Sequence, residues 1–210
     1  MIRKDSLKGI KNLIFDLGGV IIDLSQDSTV REFAKLGGVT EEKVRQDLLP
    51  TESFHDYERG AISDDEFRDR VRHHLGVNAS NDEIDRCWNA MLAGLPIERL
   101  QLLERLRKNY RLYLLSNTCE IHLIKFNQMV FDMTGHEELD YYFDKAYYSH
   151  RIKMRKPGRE IYDSVLADSE LHAEQTLFLD DNLINLEGAE VCGIKTFHVK
   201  NPELVLDLFS

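Results

Sequence analysis

The sequence predicts an α/β fold, a parallel sheet with helices on both faces, carrying an all-helical subdomain inserted after the first strand. Three observations predict it. Short apolar runs recur at Leu13–Phe15, Leu112–Leu115, Ala146–Tyr148, Leu177–Leu179 and Thr196–Val199, as expected of strands buried on both faces. Helical apolar patterns lie between the later runs, at Ile121–Met129, Glu160–Leu166 and Leu183–Val191, and strand alternating with helix argues for a parallel sheet. The interval from Ser25 to Leu95 differs, with no convincing strand and several amphipathic helical stretches.

Taken in order, the first strand ends at Asp16, followed by Leu17 and the pair Gly18-Gly19. An acid at the end of a buried strand is costly unless a charge meets it there. In open α/β sheets that end is also where ligands bind, so Asp16 is the first candidate for a working carboxylate. The insertion reads as helices at Ser28–Leu36 and Glu41–Leu49. A third opens with the capping-box pattern Ser63-Asp-Asp-Glu66 and continues through Phe67, Val71 and Leu75, and a fourth spans Asp82–Met91. Gly94-Leu-Pro96 punctuates the return, and Ile97–Leu106, with Ile97, Leu100, Leu103 and Leu106 on one face, packs on the sheet. The expected division is residues 1–24 and 96–210 for the sheet domain and 25–95 for the helical insertion.

Bulk properties narrow the function classes. A chain of 210 residues buries a sizeable core. A net charge of −10 argues against nucleic-acid or anionic-membrane surfaces. Cys87, Cys119 and Cys192 are scattered, lack any CxxC spacing, and read as free thiols in a reducing compartment. The basic start, Met1-Ile-Arg-Lys-Asp-Ser, is not expected to be a signal peptide, because Asp16 and Asp23 interrupt the apolar run that follows. No run approaches membrane-spanning length. The expectation is a soluble cytoplasmic protein.

Three further sites accompany Asp16. Leu112–Leu115 ends in Ser116-Asn117-Thr118, Lys156 precedes Pro157, and Leu177–Leu179 ends in Asp180-Asp181-Asn182, with Asn185 one turn on. Pro157 biases Lys156 to an extended conformation and is suited to the first turn of the next helix. Lys153, Arg155 and Arg159 around it read as a solvated surface. In a doubly wound sheet these strand ends and loops converge on one crevice. Asp16 and Asp181 repel each other at close range unless a divalent cation sits between them, and hard oxygen donors suit Mg²⁺. Ser116 and Lys156 suit a phosphoryl group. Asp16 is then the attacking oxygen. Asp180 ranks behind Asp181 as a ligand, acting behind it or through water. Asn185 is equally an orienting residue or helix surface.

The order of these motifs resembles the haloacid dehalogenase superfamily over nearly the whole chain. Phe15-Asp-Leu-Gly-Gly-Val20, Leu115-Ser-Asn117, Met154-Arg-Lys-Pro157 and Phe178-Leu-Asp-Asp-Asn182 are similar to the branch containing bacterial α-D-glucose-1-phosphate phosphatase, as are Glu58-Arg-Gly60 and Ile62-Ser63. The resemblance implies a Rossmann-like core, a helical cap over the crevice, and an aspartyl-phosphate on Asp16. It implies Mg²⁺ held by Asp16, the carbonyl of Gly18 and Asp181, with phosphate held by Ser116, Asn117 and Lys156. The implied activity is a Mg²⁺-dependent phosphatase acting on a small phosphorylated metabolite. The alternatives are a metal-independent 2-haloacid dehalogenase and a weakened member that binds a phosphorylated ligand.

Position 18 departs from the wider superfamily, where most phosphatases carry a second Asp as general acid. Glycine keeps a carbonyl for a metal but delivers no proton, a loss of roughly 10²–10⁴-fold that falls hardest on poor leaving groups. A sugar 1-phosphate, with its activated leaving group, is consistent with that loss. Asp23, His55 and Glu58 are the candidates to replace the acid. Phe54, His55, Tyr57, Glu58, Arg59 and Trp88 mix aromatic and polar groups as either a substrate pocket or a helical core would.

Overall fold

The computed structural model describes residues 7–48 and 52–210. The basic start of the chain and Leu49, the last residue of the expected helix Glu41–Leu49, lie outside those residues. The sheet consists of β1 (Asn12–Phe15), β4 (Arg111–Ser116), β5 (Lys145–Tyr148), β6 (Thr176–Asp180) and β7 (Lys195–His198). All pairings are parallel, in the order β5-β4-β1-β6-β7. The chain builds outward from β1 to β4 and β5, then crosses to the other side for β6 and β7. The carboxyl end of β1 is therefore flanked by those of β4 and β6, the place where an open α/β sheet leaves a crevice.

Alternate strand residues feed two cores. Leu13, Phe15, Leu112, Leu114, Leu177 and Leu179 pack under α6 (Ile97–Leu106), α7 (Glu120–Thr134) and α11 (Glu203–Leu208). Ile14, Tyr113, Leu115 and Phe178 pack on the other face, under α9 (Arg159–Asp168) and α10 (Leu183–Val191), with a short α8 (Ser149–Ile152) directly after β5. Both faces are covered, so the strands read as continuous apolar runs.

Between β2 (Asp23–Leu24) and β3 (Leu92–Gly94) lie α1 (Gln26–Gly37), α2 (Glu41–Lys43) with a π-helical turn at Val44–Leu48, α3 (Glu52–Glu58), α4 (Asp64–Leu75) and α5 (Asn81–Asn89). The Ser63–Glu66 capping box is formed, and a second, Ser80 with Glu83, starts α5. These helices bury their own apolar cluster, including Val30, Phe33, Phe54, Phe67, Val71 and Trp88. Cys119 and Ile121, from the segment that follows β4, are part of it too.

Two expectations are corrected. The interval from Ser25 to Leu95 does contain a strand: β3 pairs antiparallel with β2. Three residues are too few to show alternation, and only the partner defines them. Pro157 does not enter a helix: α9 starts at Arg159 with Gly158 as its N-cap. No helix among the described residues is long and apolar enough to cross a membrane.

Candidate active site

Asp16 leaves β1 level with the end of β6, its N–H donating to the Leu179 carbonyl at 2.8 Å. Its Oδ1 accepts the Leu17 N–H at 2.7 Å and lies 2.8 Å from Lys156 Nζ. Oδ2 has no protein partner among the described residues. Lys156 is 1% exposed, and its Nζ also donates to Asp180 Oδ2 at 2.7 Å. The ammonium sits 5.2 Å from the centre of the Phe178 ring, a favourable cation–π placement. One buried lysine thus bridges the acids at the ends of β1 and β6.

Asp180 is fully buried and satisfied on every side. Besides Lys156, it accepts the Asn182 N–H at 2.7 Å and both oxygens face Asn185 Nδ2 at 3.1 Å. Tyr162 donates to the Asn185 carbonyl at 2.7 Å. Asn185, left open between orienting and surface roles, is buried and orients Asp180. Asp181 is exposed and projects toward the tight turn at Gly19, whose φ is +69°. A Cβ there would come within 2.4 Å of Asp181 Oδ2, so glycine at 19 leaves room for that carboxylate.

Oxygens of Asp16, Asp180 and Asp181 lie within 4.8 Å of one another. Three carboxylates against one ammonium leave an excess of negative charge. Burial, offset by Lys156 and reinforced by Asp180 and Asp181, raises the Asp16 pKa from 3.8 to about 7. Burial and Asp180 raise that of Asp181. Burial works against the charge on Lys156, but Asp16 and Asp180 outweigh it and hold its pKa above the ordinary value. Hard anionic oxygens short of positive charge, one of them unpartnered, form a donor set that fits a small divalent cation.

The cluster adjoins a cavity of about 530 Å³. Leu17, Gly18, Ser116, Asn117 and Thr118 line it from the sheet domain, and Phe54, His55, Glu58 and Trp88 from the helices. Ser116 closes β4, is 2% exposed, and its hydroxyl has no protein partner among the described residues. The Asn117 side chain is committed differently from the expectation of direct phosphate binding. Its Nδ2 donates to the Lys156 carbonyl and its Oδ1 accepts the Lys156 N–H, both at 3.0 Å. It therefore fixes the lysine's backbone.

Position 18 is filled by a neighbour. A Cβ on Gly18 would lie 2.5 Å from Leu24 Cδ1. Of the candidates to replace an acid there, Asp23 is paired with Arg99 at 2.8 Å, whereas His55 and Glu58 line the cavity. Arg155, expected at the surface, also lines it and holds Glu58 Oε2 at 2.6 Å. Lys153 likewise reaches across, donating to the Gly60 carbonyl at 2.6 Å. Arg159 is exposed and pairs with Asp163, as expected of surface. His122 is a further lining residue that reading the sequence missed. Its only signal is a polar side chain on the apolar face of Ile121–Met129.

The chain is similar to known proteins over most of its length. Residues 101–199 match the haloacid dehalogenase-like hydrolase family. A D-ribitol-5-phosphate phosphatase of Bacteroides thetaiotaomicron is 33% identical over 192 residues, covering 91% of this chain and 93% of that one. A solved HAD family enzyme from the same organism, an Asp-to-Ala mutant in complex with magnesium and inorganic phosphate, superposes with a TM-score of 0.84. It is 36% identical and covers 90% of this chain and 93% of its own. A HAD-like hydrolase from Porphyromonas gingivalis gives 0.82 at 32% identity, covering 90% of each chain. With a family model matching residues 101–199 and a relative 33% identical over 91% of its length, the chain belongs to the haloacid dehalogenase-like hydrolase family.

Proposed function

We propose that this protein is a Mg²⁺-dependent phosphatase acting on a small phosphorylated metabolite, with Asp16 as the nucleophile. The observation that carries the reading is the Asp16–Lys156–Asp180 bridge: it consumes one oxygen of Asp16 and leaves Oδ2 without a protein partner among the described residues. Oδ2 attacks phosphorus in line, the bond from phosphorus to the substrate oxygen breaks, and the departing oxygen takes its proton from water. Water then cleaves the aspartyl-phosphate, releasing inorganic phosphate and restoring the carboxylate. Lys156 has three N–H donors; two hold Asp16 and Asp180, and the third is available to a phosphoryl oxygen. Ser116 Oγ donates to another. The group that fits among Asp16, Asp181 and the Gly18 carbonyl is Mg²⁺. When bound, it neutralises charge building on the transferring phosphoryl group.

The helical insertion, residues 25–95, serves in this reading as a cap that excludes bulk water and selects the substrate, with residues 7–24 and 96–210 forming the core. The Asp180–Asn185 pair supports Lys156. The relative that acts on D-ribitol-5-phosphate supports a phosphorylated sugar or polyol as substrate. The absence of an acid at position 18 supports a good leaving group, such as that of a sugar 1-phosphate. Free Cys87, Cys119 and Cys192 support the expected cytoplasmic location.

Phosphate release from p-nitrophenyl phosphate, D-ribitol 5-phosphate and hexose 1-phosphates tests the reading. Release is expected to need Mg²⁺, to stop with a chelator, and to fall about 10³-fold or more in Asp16→Asn. Metal-independent halide release from a 2-haloacid, without phosphate release, overturns it.

A further inference from the structure

His122 lies in the first turn of α7, six residues beyond Ser116, and lines the cavity while only 7% exposed. Its Nε2 is 3.2 Å from the Trp88 carbonyl oxygen. That oxygen only accepts, so Nε2 carries the hydrogen. The imidazole stacks on the Trp88 indole with centroids 4.6 Å apart and planes 15° off parallel, which fixes its orientation. Burial pushes its pKa down to about 4, so the ring is neutral near pH 7. Nδ1 then presents a lone pair, and among the described residues it has no protein partner.

A nearly buried acceptor left unpaired weakens binding by about 5- to 150-fold relative to one that meets a donor. The cavity wall mixes apolar side chains, among them Phe54, Met91, Leu92 and Phe126, with polar ones such as Gln26, His55 and Thr118. A neutral imidazole with hydrogen on Nε2 cannot donate from Nδ1, so it cannot be the leaving-group acid that position 18 lacks. It can read a hydroxyl. We infer that His122 Nδ1 accepts a hydrogen bond from a hydroxyl on the substrate's carbon chain, so that His122 selects phosphorylated polyols and sugars over esters with a hydrocarbon chain. The inference rests on reading the cavity as the substrate site of the proposed phosphatase. The Glu58–Arg155 pair offers hydroxyls a second polar contact in the same space.

The test compares D-ribitol 5-phosphate with n-pentyl phosphate, two esters of equal chain length. His122→Phe keeps the stack on Trp88, and the Trp88 carbonyl still accepts from Thr29 Oγ1 at 3.2 Å. The ratio of kcat/KM for the polyol ester to that for the pentyl ester is expected to fall about 5- to 150-fold in His122→Phe. It should recover in part in His122→Asn, whose amide oxygen is a shorter acceptor. An unchanged ratio, or an equal fall for both esters, overturns the inference and leaves the phosphatase reading standing. Calorimetric binding of both esters, with Mg²⁺, to Asp16→Asn and to Asp16→Asn/His122→Phe separates the two claims. If the wild type turns over neither ester but Asp16→Asn binds the polyol ester selectively through His122, the phosphatase reading fails and the inference holds. Equal binding of the two esters, or binding of neither, overturns it.

Discussion

The two sides of the cleft are built by opposite means. On the sheet side, Asp16, Lys156, Asp180 and Asn185 are buried polar groups, each positioned by charge and hydrogen bonds to the others. On the helical side, Phe54, Phe67 and Trp88 meet ring against ring at 5.1–5.5 Å, and the polar His55 and Glu58 join Phe54 and Trp88 at the cavity wall. Buried charge tolerates little displacement, because each group loses its counter-charge when a neighbour moves. Aromatic packing is less directional and admits changes of shape at lower cost. The difference suits a reaction centre that must stay fixed beside a wall that determines what is admitted.

Lys156→Met is the hardest test of that contrast. It strips two buried carboxylates of their partner and is expected to lower stability by about 3–5 kcal/mol, measured by urea unfolding. Mg²⁺ should restore part of the loss by supplying positive charge to the same acids. A loss below about 1 kcal/mol would mean that charge compensation does not hold the sheet side together.

The contact between the two sides is probed through His122, which α7 of the sheet domain stacks on Trp88 of the insertion. Its pKa is about 4 when folded against 6.5 ordinarily. The unfolded chain therefore binds the extra proton between those values, and stability falls as pH drops from 6.5 toward 4, by about 3 kcal/mol in total. Above pH 6.5 both states are neutral and the contribution is flat. His150, lowered by burial in the same direction, adds to the slope. Carboxylates titrate nearby as well, so the difference between wild type and His122→Phe isolates the imidazole. Identical pH profiles would show that His122 is not held neutral by the helices.

The smallest effect is expected at the seam. Gly19→Ala places a side chain at φ +69° and within 2.4 Å of Asp181 Oδ2. The cost is about 1–2 kcal/mol in stability, together with a higher Mg²⁺ concentration for half-maximal activity as Asp181 is pushed aside. Unchanged Mg²⁺ dependence would detach Asp181 from the metal.

What the sequence made legible divides along the same line. Strands buried on both faces announce themselves as apolar runs, and α6 has the same limits, Ile97–Leu106, in the pattern and in the structure. Asp16, Ser116 and Asp181 stood out as candidates because each lies within two residues of the end of such a run. β3 was not, since pairing with residues about 70 positions away is all that defines it. Arg155 was hidden among surface-like charges, because its partner Glu58 lies 97 residues earlier. His122 was hidden for the same reason, with Trp88 34 residues before it. Residues whose role is set across the cleft carry little local signal. The commitment of the Asn117 side chain to the Lys156 backbone is of this kind too.

The leucine over Gly18 has a consequence for how such a site could change. A carboxylate at position 18 and Leu24 compete for one volume, so the effects of substitutions at the two positions are not independent. An aspartate introduced there must push Leu24 Cδ1 aside, but Leu24 is 41% exposed and its side-chain end can turn toward solvent. Gly18→Asp alone is therefore enough to ask whether a carboxylate at that place delivers a proton, and Gly18→Asp with Leu24→Ala measures what the crowding costs.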